Sequence, residues 1–143
     1  MIRRMNEQDL DQVLSIEMVN FSTPWQRQGF VDAIAKKENC YLVYEEEGTI
    51  WGYCGAYVVC GEADITNVSV DAKHQNKHIA RKLLTNLIDL LQMEGVNSFT
   101  LEVRASNQVA IHLYETLGFV SEGYRPKFYD LPVEDAMIMW KRG

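Results

Sequence analysis

Two hydrophobic periods alternate along this chain, and their order predicts an architecture. Behind Asn6, an N-cap with Asp9 in its first turn, Leu10, Val13, Leu14 and Met18 recur at helical spacing. A second helical face, Phe30 and Ile34, follows Thr23-Pro24-Trp25-Gln26, where Thr23 caps, Pro24 takes the first helical position and Gln26 completes a capping box. From Cys40 the period becomes that of strands: residues 41–45, a turn at Glu47-Gly48, residues 49–60, a turn at Gly61-Glu62, then residues 63–70. Ile79, Leu83, Leu84, Leu87, Ile88 and Leu91 share one face of a third helix that stops near Gly95. Residues 98–103 form the next strand. Ser106 or Asn107 then caps a fourth helix bearing Ile111, Leu113, Tyr114 and Leu117 and ended by Gly118, and residues 119–124 and 135–140 close the chain as an antiparallel pair after a first strand at 2–5.

The order β-α-α-β-β-β-α-β-α-β-β is that of an α/β fold with a mixed sheet and helices on both faces. A right-handed crossover places the strand at 98–103 parallel beside Val70. With 143 residues and no repeat, linker or low-complexity stretch, one domain spanning 1–143 is expected.

Composition narrows the function classes. A net charge of -6 opposes non-specific nucleic-acid binding, which needs a basic field, and suits a cationic substrate. The opening residues lack the apolar run of a signal peptide and no segment is long enough to span a bilayer, so a cytoplasmic protein is expected. Cys40, Cys54 and Cys60 are odd in number and show no CxxC spacing, which predicts reduced core thiols.

Residues 68–84 concentrate the chemistry. A strand-like run ends in a short basic loop and an amphipathic helix begins at once, so backbone N–H groups and a helix N-terminus converge on an anion site. Phosphate loops of this kind usually carry glycines, and this stretch has none.

These features and several strings farther along resemble the Gcn5-related N-acetyltransferase (GNAT) superfamily, and within it the bacterial ribosomal-protein alanine N-acetyltransferases of the RimI type. The resemblance spans nearly the whole chain: Pro24-Trp25 with Phe30, Asn67-Val68-Ser69-Val70-Asp71, Leu101-Glu102-Val103-Arg104-Ala105-Ser106-Asn107, Leu113-Tyr114-Glu115-Thr116-Leu117-Gly118-Phe119, and Glu134-Asp135-Ala136-Met137-Ile138-Met139. It implies a GNAT-type sheet, mostly antiparallel with a parallel pair in the middle. It also implies acetyl transfer from acetyl-CoA to a protein N-terminal amine, that of a small-subunit ribosomal protein beginning with alanine. By resemblance, Val68, Ser69 and Val70 pair with the pantetheine amides, residues Asn76, Lys77, His78, Ile79, Ala80 and Arg81 wrap the pyrophosphate, and Asn107 contacts the coenzyme. Glu102 matches the general base, Tyr114 the general acid, and Trp25 and Tyr129 border the acceptor groove. The roles also make chemical sense directly: an amine must lose a proton to attack, and a departing thiolate benefits from a phenol that supplies one.

One departure from the family pattern matters. Gln75-Asn76-Lys77-His78-Ile79-Ala80 places His78 where the family has its central glycine, and a β-carbon there is expected to crowd a phosphate or redirect the loop. Acetylation of lysine, a polyamine or a small molecule is the alternative enzymatic reading, and a non-catalytic binding module is the alternative outside enzymes. His74 and His78 are four residues apart, but no glutamate lies between them and they straddle a loop-to-helix junction, so no metal site is expected.

Overall fold

The computed structural model describes residues 1–75 and 78–142. β1 (Ile2–Arg4) leads through a 3-10 turn (Glu7–Asp9) into α1 (Leu10–Asn20) and α2 (Arg27–Ala35), followed by β2 (Cys40–Glu46), β3 (Thr49–Val59), β4 (Glu62–Val70), α3 (Ile79–Met93), β5 (Ser98–Arg104), α4 (Gln108–Thr116), β6 (Val120–Tyr129) and β7 (Glu134–Arg142). The seven strands form one sheet in the order β1-β2-β3-β4-β5-β7-β6. The β4–β5 pair is parallel and its neighbours are antiparallel. This is the mixed sheet the resemblance implies.

Asn6 caps as its chemistry dictates: its side chain accepts from the Gln8 N–H at 2.9 Å, and its own N–H donates to Asp9 at 2.8 Å. Asp9 also takes two hydrogen bonds from the Arg3 guanidinium, each 2.8 Å, which pins the chain start to α1. The inward face of α1 differs from the periodic reading. Leu10, Val13 and Ile16 are buried, but Met18 is 68% exposed and its expected inward place is taken by Glu17 at 2%. A hydrophobicity pattern passes over a buried carboxylate, and this one is held by partners far along the chain: the Tyr53 hydroxyl donates to it at 2.5 Å and the Trp25 N–H at 2.9 Å.

The same contact corrects the start of the second helix. Thr23-Pro24 and Trp25 remain outside α2, whose N-cap position falls on Gln26 without a side-chain cap bond. Glu17 and the packing of the Trp25 ring on Phe30 and Tyr41 hold this stretch in place, and that tertiary grip wins over the local capping signal.

The β2–β3 and β3–β4 hairpins turn through two residues of positive φ, Glu47-Gly48 and Cys60-Gly61, the twist that two-residue loops require. The second turn therefore lies one residue earlier than expected, and it carries Cys60 into solvent while Cys40 and Cys54 remain buried. The third helix follows its sequence closely, all six expected side chains being buried. They pack with Phe99, Leu101, Val103, Ile111 and Met139 into a core between the sheet and the α3/α4 layer, and a smaller core joins α1 and α2 to β2 and β3. The last pair of strands runs longer than its apolar pattern, because β6 is an edge whose residues are mostly exposed.

Candidate active site

The central parallel pair is short. β4 and β5 are in register only over Glu62↔Ser98, Ala63↔Phe99 and Asp64↔Thr100, so β5 does not lie beside Val70 as the crossover rule suggested. The cause lies on the other side of β4. Gly55 pairs with Asn67 and Ala56 with Ile65, which leaves Thr66 as an extra residue and bends the strand. The bulge is tied down: the Thr66 hydroxyl lies 2.6 Å from the Tyr41 hydroxyl and donates to Asn67 Oδ1 at 2.7 Å. Gly55 is a requirement of the same feature, because a β-carbon there would lie 1.9 Å from the Tyr41 ring. Beyond the bulge β4 diverges from β5, and backbone polar groups of residues 65–70 open onto a cleft of about 1300 Å³. Typical small-molecule pockets hold roughly 300–1,000 Å³, so this one has room for two substrates at once.

The cleft passes through the sheet. On the α3/α4 face it is lined by Tyr114 and by the start of α3; on the opposite face it is lined by Trp25, Glu102 and Tyr129. Strand alternation explains the division, since Phe99, Leu101 and Val103 enter the core while Thr100, Glu102 and Arg104 point the other way.

All the described site residues expected from the sequence line this one cleft: Val68, Ser69, Val70, His78, Ile79, Ala80, Arg81, Asn107, Glu102, Tyr114, Trp25 and Tyr129. Asn76 and Lys77 fall outside the described residues. His78 stands immediately before α3 with φ 59° and ψ 23°, the left-handed conformation that glycine adopts freely. The first amides of α3 have no partner within the helix, and the His78 side chain makes no cap bond to them. Asn107 caps α4, its Oδ1 accepting from the Ala110 N–H at 3.2 Å, so the capping reading of this residue holds.

Glu102 is half-buried. Arg125 Nε lies 3.0 Å from its Oε2, an ion-pair distance, but the approach is not aligned as a hydrogen bond and that oxygen retains an unfilled acceptor position. Tyr114 is buried against Phe119 with ring centroids 6.0 Å apart. Burial, reinforced by neighbouring Tyr129 and Cys54, pushes its phenol above the ordinary value. Tyr129 is pushed up to about 12 by burial and by Glu102, against the opposing pull of Arg104. His74 lies flat on Trp51 with ring centroids 3.9 Å apart.

Sequence reasoning missed four contributors. Glu17 anchors Trp25 and lines the cleft, and its one available signal was a carboxylate at an inward helical position. Asn20 holds the end of β4 by donating to Ser69 Oγ at 2.5 Å and to the Val70 carbonyl at 2.9 Å. Asp64 lines the cleft from β4, and partial desolvation there raises its carboxyl, against the opposing pull of Arg125, even though it remains solvent-accessible. Arg104 stacks on the Tyr129 ring at 4.5 Å; it sits inside a recognised string, but nothing local announces that contact.

The acetyltransferase (GNAT) family model matches residues 10–119. The [ribosomal protein bS18]-alanine N-acetyltransferase of Escherichia coli K12 is 35% identical over 142 residues, covering 96% of this chain and 94% of that protein. A Bacillus subtilis protein described as a putative enzyme of the same name is 33% identical over 140 residues, covering 97% and 93%. The crystal structure of the ribosomal-protein-S18-alanine N-acetyltransferase from Escherichia coli superposes with a TM-score of 0.92 at 33% identity, covering 99% of this chain and 92% of that one. The PaiA N-acetyltransferase of Thermoplasma acidophilum, solved in complex with coenzyme A, shares the fold at a TM-score of 0.82 and 16% identity.

Proposed function

Because this chain belongs to the GNAT acetyltransferase family, we propose that it transfers acetyl from acetyl-CoA to a protein N-terminal amine, that of alanine at the start of ribosomal protein bS18. One observation carries this function: similarity to enzymes named for that acceptor extends over both ends of the cleft and nearly the whole chain. The proposed acceptor puts the reaction in the cytoplasm.

The cleft suits acetyl-CoA. Val68, Ser69 and Val70 offer an open strand edge for the pantetheine amides, while Ile79, Ala80 and Arg81 present helix N-terminal amides to the pyrophosphate. His78 in its left-handed turn, Asn76, Lys77 and Asn107 complete the coenzyme set. On the other face, Trp25 and Tyr129 border the acceptor.

Glu102, whose side chain is part-exposed in the cleft while its Oε2 is buried beside Arg125, takes a proton from the acceptor ammonium, directly or through one water. The neutral amine then attacks the thioester carbonyl carbon; the C–N bond forms, the C–S bond breaks, and the nitrogen releases its second proton to water as the amide forms. N–H groups exposed by the bulge near Asn67 to Ser69 oppose the charge that builds on the carbonyl oxygen. Tyr114, kept protonated by burial, supplies its phenolic proton to the departing sulfur. An α-amine suits a single carboxylate base, since its reference pKa lies about 2.5 units below that of lysine and far more of it is neutral near pH 7.

Mass spectrometry of an alanine-initiated bS18 peptide and its N-terminally blocked counterpart tests this reading. Acetylation of the first and not the second is expected; modification only at lysine in both removes the assignment. Calorimetry with acetyl-CoA separates the enzyme from a non-catalytic module, which would show no binding at millimolar ligand.

A further inference from the structure

We propose that Arg104 is a positioning residue that fastens together the two walls of the acceptor end and holds Tyr129 between them, thereby setting acceptor affinity. The inference rests on the acetyltransferase function proposed above. Arg104 leaves β5 on the same face as Glu102, two residues beyond it. Its Nη1 donates to the Pro132 carbonyl at 3.0 Å and to Glu134 Oε1 at 3.3 Å, and its Nη2 donates to Ser22 Oγ at 3.3 Å. The guanidinium carbon also lies 4.5 Å from the centre of the Tyr129 ring.

Those partners belong to different parts of the fold. Ser22 lies in the connection between α1 and α2, Pro132 in the connection between β6 and β7, and Glu134 at the start of β7. Among the described residues, no hydrogen bond passes directly between the two connections, so they meet through this guanidinium. The far end of the clasp is fixed as well, because Glu134 Oε2 accepts from the Ser106 N–H at 2.6 Å, back on the β5–α4 connection. Phe21, Ser22 and Thr23 line the cleft from one wall, and Phe128 and Tyr129 line it from the other.

Arginine is required by the geometry. A planar guanidinium can donate in several directions while presenting a flat face to a ring, whereas a lysine ammonium is a point charge and cannot stack in this way. The side chain is 25% exposed, so solvent screens these contacts only in part. Arg104 reaches no reacting atom in this arrangement; it acts through Tyr129 and the two walls.

The test compares the full chain with Arg104→Met and Arg104→Lys in two arms. In amide hydrogen exchange without substrates, Arg104→Met is expected to speed exchange of residues 21–25 and 128–134 together, with α3 and β3 unchanged. In steady-state acetylation of the alanine-initiated peptide, its acceptor KM rises about tenfold, the scale of lost hydrogen bonds to a charged group, while kcat and the acetyl-CoA Kd change less than about threefold. Arg104→Lys falls between wild type and Arg104→Met in both arms. Exchange that rises on one wall alone, an unchanged acceptor KM, or an equal loss of acetyl-CoA affinity overturns the proposal. The exchange arm uses no acceptor, so it judges Arg104 even where the wild-type protein acetylates nothing.

Discussion

The two ends of the cleft are built from different materials. At the coenzyme end the parts that bind are mainly backbone, the edge of β4 beyond the Thr66 bulge and the first amides of α3, with the Tyr114 phenol beside them. At the acceptor end they are side chains, Glu102 beside Arg125, Arg104 on Tyr129, and Trp25 held by Glu17. A backbone-built site depends on conformation, so a residue can change there provided φ and the N–H directions are kept. His78 is that case, holding φ 59° without being glycine. A side-chain site depends on identity, and conservative exchange there removes the chemistry itself.

The largest effect therefore belongs to an acceptor-face residue that the backbone cannot replace. Glu102→Gln is expected to lower kcat by about 10² to 10⁴-fold, the usual contribution of a general base, with acetyl-CoA Kd unchanged. Tyr114→Phe lowers kcat by about 10²-fold through loss of the proton donor. Stopped-flow or steady-state acetylation beside calorimetry reads both. If both variants turn over at the wild-type rate, the assigned chemistry is wrong and the division between the ends loses its meaning.

The same division explains what the sequence revealed. Elements whose order is written locally were legible: the six buried side chains of α3, the Asn6 cap, and the strand alternation that turns Glu102 away from the core. The placement of expected site residues on one cleft was legible through family strings, because those strings mark strand ends and helix starts. Contacts between distant segments were not. Met18 looks inward by period, yet Glu17 takes the buried place because Tyr53 and Trp25 satisfy its carboxylate. The Thr66 bulge leaves no local signal either, since it arises from a register shift against β3 and from the Tyr41 hydroxyl. The cleft follows from that bulge, so the strands were readable and their separation was not.

A smaller effect sharpens the backbone side of the comparison. If conformation at position 78 is what matters, His78→Gly leaves acetyl-CoA Kd within about threefold, since glycine enters the left-handed region freely. His78→Val, β-branched and poorly tolerated at positive φ, weakens binding about tenfold. Isothermal titration calorimetry distinguishes this from a side-chain role: a loss in the glycine variant as large as that in valine would make the imidazole itself the ligand contact.

The smallest effect concerns pH, and it too separates the two faces. Tyr114 on the α3/α4 face is raised by burial beyond Tyr129, which reaches about 12 in the acceptor wall. Unfolded tyrosines titrate near 10. A folded value above the unfolded one means that the unfolded chain releases its protons first, so the stabilisation is fully present below pH 10 and is lost as pH rises past it. Each such phenol steepens the alkaline loss by about 1.4 kcal/mol per pH unit while its folded form stays protonated. Chemical denaturation followed between pH 9 and 12 should show a shallower decline for Tyr114→Phe than for wild type. Tyr129→Phe should match it at first, then part from it as pH approaches 12, where the folded Tyr129 itself begins to ionise and its share of the slope ends. Identical slopes in wild type and Tyr114→Phe would mean that the Tyr114 hydroxyl reaches solvent through the cleft, and that the coenzyme face is wetter than its backbone construction implies.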